Sequence, residues 1–195
     1  MRIVCLISGG GSNLQALIDW QKKGLLGNAK LVAVASNVAD AKGLRRAKKA
    51  GIPSVVQSHN NYPDRKSFGL MLANAIDIYE PDLLALAGFM RILSPDFISA
   101  YSGRLINIHP SLLPKYKGLN THARALEAGD SEAGATVHWV TEELDGGEII
   151  RQSKVPIIAG DTEKTLKARV LKAEHSLYPS VIRDLSLGEV KQCTN

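Results

Sequence analysis

Residues 2–18 read R-I-V-C-L-I-S-G-G-G-S-N-L-Q-A-L-I. Residues 2–7 are apolar for the length of one strand, with no polar residue alternating in after Arg2. A strand apolar on both faces belongs to a parallel sheet covered on each side by helices. Ser8, three glycines, Ser12 and Asn13 follow, and then Leu14, Leu17, Ile18 and Gln21 recur at helical spacing. Strand, glycine turn, helix is an arrangement that points free backbone N–H groups at an anion. Ser12 or Asn13 is expected to cap the helix and add side-chain donors.

The turn is half of a dinucleotide fingerprint. Gly9 and Gly11 fit it, but Leu14 stands at the third glycine position. The next strand, residues 31–35, ends in Ser36 and Asn37 instead of an acidic residue. A single phosphate therefore suits this turn better than a nicotinamide dinucleotide.

The units that follow repeat the same theme. Residues 41–50 make a short basic helix closed by Gly51, its charges read as a solvated face. Val55–Val56 is a brief strand. Residues 64–79 are helical, opened by Arg65, with Phe68, Leu72, Ala75 or Ile76, and Tyr79 inward. Residues 83–87 are a further apolar strand. Gly88-Phe89-Met90-Arg91-Ile92-Leu93 stands at its carboxyl end, where open α/β sheets place ligands. Apolar side chains there suit a flat ring.

Residues 104–118, R-L-I-N-I-H-P-S-L-L-P-K-Y-K-G, hold the chemistry. Asn107 and His109 lie two apart on a short strand, so they share a face, about 7 Å apart. One is an amide donor and the other titrates near neutrality. Acyl-type chemistry needs such a pair, one group to hold an oxyanion and one to move a proton. The loop 115–120 is polar and expected to move, and Thr121 reads as a helix cap. Residues 134–141 form a strand. His138 on it has two readings, a second site group or a hydrogen-bonded structural histidine, and the latter is favoured. Asp145-Gly146-Gly147 marks a turn. Residues 149–156 return antiparallel to residues 134–141. Asp161-Thr162 caps a long final helix with a stripe of Leu166, Val170, Ala173, Leu177 and Val181, and Pro179 is expected to bend it.

These motifs resemble a known family. N-I-H-P-S-L-L-P-K-Y is similar to the signature of folate-dependent formyltransferases, the GAR transformylase family in particular. I-S-G-G-G-S-N-L-Q, L-A-G-F-M-R-I-L-S-P and E-L-D-G-G resemble it too, and the likeness spans about residues 1–185. The resemblance implies transfer of a formyl group from 10-formyltetrahydrofolate to the amine of 5′-phosphoribosylglycinamide, in purine biosynthesis. It implies Asn107, His109 and Asp145 as catalytic residues, with Asp145 keeping His109 charged. It implies Gly11, Ser12, Asn13 and Glu174 as binders of the ribonucleotide. Arg65, Met90, Arg91, Ile92, Leu93, Thr141, Glu142, Glu143 and Leu144 are the implied folate binders. A cis Leu113–Pro114 bond is also suggested.

The expected fold is one doubly wound, mostly parallel α/β domain of the Rossmann-like formyltransferase type. It adds an antiparallel C-terminal strand pair and a long C-terminal helix. Residues 1–100 form a phosphate-binding half and 101–188 a catalytic and folate half. The 195 residues, 45% hydrophobic and 22% charged, suit one ordinary soluble domain. The net charge of +5 is dispersed, without the basic run and interleaved aromatics of a nucleic-acid surface. Small-molecule substrates are expected, with no nucleic acid, no membrane and a monomer or weak homodimer. Cys5 and Cys193 lie far apart and are expected as free thiols in a reducing, cytoplasmic setting. No metal-ligand spacing, apolar run of spanning length or signal peptide is read. A methionyl-tRNA formyltransferase would add a C-terminal RNA-binding domain, and a formyltetrahydrofolate hydrolase an N-terminal regulatory one. Neither is expected here. A non-catalytic binder would not need Asn107, His109 and Asp145 together.

Overall fold

A computed structural model of the chain describes residues 1–190. The first apolar run forms β1 (Arg2–Ile7), and α1 (Ser12–Lys22) follows the glycine turn. Then come β2 (Lys30–Ser36), α2 (Lys42–Lys49), β3 (Ser54–Val56) and α3 (Arg65–Asp77). β4 (Leu83–Leu86), α4 (Pro95–Ala100) and β5 (Leu105–His109) carry the chain to the middle of the sheet. α5 (Thr121–Glu127), β6 (Glu132–Trp139), β7 (Ile149–Pro156) and α6 (Glu163–Leu187) complete it.

Among the described residues the strands form one sheet of order β3-β2-β1-β4-β5-β6-β7. Every pairing from β3 to β5 is parallel, while β6 runs antiparallel to both β5 and β7. The apolar runs are explained by the two layers they serve. Ile3, Cys5 and Ile7 face a core shared with α1, α2 and α6, and Val4 and Leu6 face one shared with α3 and α4. In α6 the stripe Leu166, Val170, Leu177 and Val181 is buried against the sheet, and the helix continues on both sides of Pro179. A capping box of Thr162 and Thr165 starts that helix, and Asp161 beside it accepts from both terminal nitrogens of Arg169.

Sheet order decides where ligands go. β1 and β4 are neighbours, yet the chain leaves β1 towards β2 and returns later to β4. That reversal opens a crevice at the carboxyl ends of the strands. The glycine turn leaves β1, residues 88–93 leave β4, and His109 ends β5, so all three reach the same edge.

Two expected caps are corrected. α1 is capped by Gly11 in the left-handed region (φ 67°), so Ser12 and Asn13 are its first residues and not its cap. A close approach decides this. A Cβ on Gly11 would lie 2.6 Å from the Cα of Gly43, because α2 begins against the turn and Gly43 N–H donates to Gly9 O at 2.9 Å. α5 is likewise entered through left-handed Asn120 (φ 57°), with Thr121 inside the helix. Gly11→Ala is therefore expected to cost roughly 1–3 kcal/mol of stability and to weaken phosphate binding. Thermal melting with and without inorganic phosphate checks both. Of the tail expected to fray after Gly188, residues 191–195, Cys193 among them, lie outside the described residues.

Candidate active site

Asn107 and His109 share a face of β5 as the alternation requires, and β6 supplies the facing register: Asn107 opposite His138, His109 opposite Thr136. The Asn107 amide Nδ2 lies 3.2 Å from His138 Nε2. His138 Nδ1 is 2.8 Å from the Trp139 carbonyl, which can only accept, so Nε2 is left to accept from Asn107. Asp145 enters from the turn after β6. Its Oδ2 lies 3.3 Å from His109 Nδ1 and its Oδ1 3.7 Å from His138 Nε2. The turn can reach this far because Asp145 adopts φ 49° and Gly147 lies flat against Trp139, where a Cβ would strike the Trp139 carbonyl. Asp145, distant in sequence, thus meets His109, and His138 links it to Asn107. The histidine is hydrogen-bonded, as its structural reading holds, and it also stands inside the cluster.

The loop after β5 closes the ring. His109 Nε2 donates to Tyr116 O at 2.9 Å, and Gly118 N–H donates to Asp145 Oδ2 at 2.9 Å. Lys117 pairs with Glu143 at 2.6 Å, and Arg124 Nη1 donates to Lys117 O at 2.7 Å. The segment expected to be mobile is therefore tied to the site at several points. The Leu113–Pro114 bond at its base is cis.

Burial as well as charge acts on the His109–Asp145 pair. Burial pulls the His109 pKa below its ordinary value, and the Tyr116 carbonyl and Asp145, which push it up, recover only part. Burial thus favours the neutral imidazole, and Asp145 offsets that only in part. Asp145 itself is depressed: burial would raise it, but His138 and His109, whenever protonated, and the Gly118 N–H outweigh that.

The glycine turn reaches the same edge of the sheet, two strands from this cluster. The first N–H groups of α1 have no partner within the helix. Arg46 of α2 reaches back, donating from Nε to Gly10 O at 2.9 Å and from Nη1 to Gln15 at 3.1 Å. The basic helix is thus not only a solvated face, since one of its charges braces the turn. Asn13 is buried and donates from Nδ2 to Glu174 Oε2 at 2.6 Å, leaving its Oδ1 buried without a partner. Burial raises the Glu174 pKa against the lowering effects of Asn13 and Lys167. A folded-state pKa above the unfolded one means that ionising this carboxyl costs stability as pH rises through it. Glu174→Gln is therefore expected to melt above the parent at about pH 8 and level with it near about pH 4. Differential scanning calorimetry at the two pH values checks this.

Residues 88–93 and 141–144 are the segments expected to hold the folate. Met90 is 71% and Ile92 58% exposed, and Leu144 on the turn after β6 is exposed too. Large apolar side chains left in water beside a cleft fit a flat ring. Arg91 Nε is buried without a partner, a donor available to a ligand. The Leu93 side chain packs into the core with Phe68 and Phe97, which leaves its backbone to face a ligand. Arg65 is exposed at the first position of α3, and Thr141, Glu142 and Glu143 are exposed on their turn.

A sequence model of the family described as formyl transferase matches residues 1–182. The chain belongs to the formyl transferase family. The phosphoribosylglycinamide formyltransferase of Escherichia coli (strain K12) is 53% identical over 195 residues, 100% of this chain and 92% of that protein. The trifunctional purine biosynthetic protein adenosine-3 of Drosophila pseudoobscura pseudoobscura is 49% identical over 192 residues, 98% of this chain but 14% of that protein. Among solved structures, the phosphoribosylglycinamide formyltransferase of Coxiella burnetii superposes with a TM-score of 0.94 at 50% identity, covering 99% of this chain and 90% of that one. The Rossmann-like fold with its long last helix is thus that of a formyl transferase.

Two members of this formyl transferase's cluster escaped the sequence reading as site residues. His138 could have been found from the register, since a strand antiparallel to β5 must set some residue opposite Asn107. Arg46 carried no local signal, because its partner Gly10 lies 36 positions away.

Proposed function

We propose that the chain transfers the formyl group of 10-formyltetrahydrofolate to the amine of 5′-phosphoribosylglycinamide, in purine biosynthesis. The observation that carries the reading is the meeting of His109 with Asp145, tied to Asn107 through His138, at the sheet edge that the glycine turn also reaches. Family membership says which chemistry such a cluster serves.

The ribonucleotide phosphate sits on the N–H groups of Gly11, Ser12 and Asn13, where the helix end favours an anion. Asn13 contributes its backbone, because its amide side chain is held by Glu174. The Glu174 carboxylate accepts from the substrate's ribose or glycinamide end. The folate ring lies between Met90, Ile92 and Leu144, and its acidic tail meets Arg91 and Arg65.

The amine attacks the formyl carbon directly. No enzyme nucleophile is needed, and Cys5 could not serve: it is buried, with its thiol pushed up to about 12. As the formyl oxygen turns anionic, the second N–H of the Asn107 amide and an N–H of His109 donate to it. Negative charge beside a neutral imidazole raises its pKa. The amine's proton therefore passes through water and Asp145 to His109 Nδ1, and the imidazolium so formed gives its Nε2 proton to the folate nitrogen as the old C–N bond breaks. Asp145 steadies the imidazolium formed between those transfers, so proton and bond counts balance without a cofactor redox step.

The test is formyl transfer from 10-formyltetrahydrofolate, with and without the glycinamide substrate. Turnover only with both present supports the reading. Folate product in the absence of the amine would make the chain a hydrolase, and no product at all would reject the proposal. A loss of binding at Glu174 is expected to be selective: Glu174→Gln raises the Michaelis constant for the ribonucleotide about tenfold or more and leaves that for the folate near the parent value.

A further inference from the structure

A partly buried chain of contacts outside the reacting cluster links residues 88–93 to the start of α3. Ser8 follows β1 directly. Its N–H donates to Gly88 O at 3.0 Å, and the Met90 N–H donates to Ser8 Oγ at 2.7 Å. A hydroxyl that accepts in this way still has its own proton to place, and Ser8 Oγ donates it to Asn37 Oδ1 at 2.6 Å. Asn37 is buried at the end of β2. With its oxygen engaged, its Nδ2 faces His59 Nδ1 at 3.1 Å, so that ring nitrogen is the acceptor. His59 opens the short 3₁₀ turn His59–Asn61. Its ring stands edge-on to Phe68 of α3, with centroids 6.3 Å apart and planes at 80°. Phe68 lies one turn from Arg65, the first residue of that helix.

The chain therefore runs from the backbone of Met90, across the ends of β1 and β2, to the base of α3. Each member's donor or acceptor role is fixed by the next one. Nothing in the transfer chemistry uses these side chains, and a buried amide is costly unless both of its ends are satisfied. We infer that Ser8, Asn37 and His59 are positioning residues that set the distance between residues 88–93 and the start of α3, and so the fit of the folate. The inference rests on the folate reading above and adds to it three residues outside the folate wall.

Equilibrium binding of 10-formyltetrahydrofolate, with 5′-phosphoribosylglycinamide as the control ligand, tests it on the parent and on Asn37→Leu, His59→Leu and His59→Gln. Breaking the chain is expected to raise the folate Kd about tenfold in both leucine variants, the size of one or two lost buried hydrogen bonds. The control Kd and kcat at saturating folate should stay within about threefold, less than one such bond. His59→Gln should bind folate like the parent, because its amide oxygen can accept from Asn37 Nδ2. His59 is only half-buried in a turn, so its leucine variant remains informative if Asn37→Leu fails to fold. An unchanged folate Kd in His59→Leu overturns the inference. So does glutamine binding as poorly as leucine, or equal losses for both ligands. A parent protein that binds no folate would instead overturn the proposed function, and this inference with it.

Discussion

Replacing Asn107 or His109 by alanine lowers turnover by at least about 10²-fold, while both substrates bind with near-parent Michaelis constants. The two side chains donate to an oxygen that is anionic only on the way between substrates and products. Their loss should therefore fall on kcat, with little change in ground-state binding. The surroundings support clean truncation. Asn107 donates to His138 Nε2 and His109 to the Tyr116 carbonyl, and neither residue anchors a helix. Steady-state kinetics with each substrate varied in turn checks the split. Turnover within about threefold of the parent in either variant would remove that residue from the proposed chemistry.

Asp145→Asn is expected to lose on the order of 10²-fold in turnover, the low end of what a positioned proton carrier contributes. The pH profile makes this prediction specific. Burial lowers the His109 pKa, and Tyr116 and Asp145 push it up. Asparagine removes one of the two raising influences, so the ring's pKa falls further. The mechanism needs a neutral ring at the start, so activity is lost as pH falls through that pKa. The acid limb of kcat/KM should lie below the ordinary 6.5 in the parent, and at lower pH still in the variant. The substrate amine titrates identically in both, so the difference between the two profiles is the readout. A limb that moved to higher pH would mean that the charge of Asp145 acts on some other group.

Local patterns carried the architecture. The unbroken apolar runs at β1 and β4 announced strands covered on both sides, and the Asn107–His109 spacing placed two side chains on one face before any coordinates. What was not legible depended on contacts across the fold. The glycine turn shows this: Ser12 looks like a cap, but Gly11 caps the helix in the left-handed region, where Gly43 of α2 leaves no room for a side chain. Leu93 looked like its neighbours Met90 and Ile92, yet it turns into the core of the α3–α4 layer. The loop 115–120 has the composition of a mobile segment, but its backbone supplies partners to His109 and Asp145. The charge state of His109 depends on the fold for a related reason. A carboxylate partner can be inferred from a motif, whereas the burial that outweighs it is a property of the whole site.

The most direct measurement is a crystal structure with 5′-phosphoribosylglycinamide and a non-transferable 10-formyl folate analogue bound together. The account predicts the phosphate on the N–H groups of residues 11–13. It predicts the formyl oxygen about 2.7–3.1 Å from Asn107 Nδ2 and from a ring nitrogen of His109. A formyl oxygen held by other donors, with Asn107 still turned to His138 and His109 to Tyr116, would contradict it.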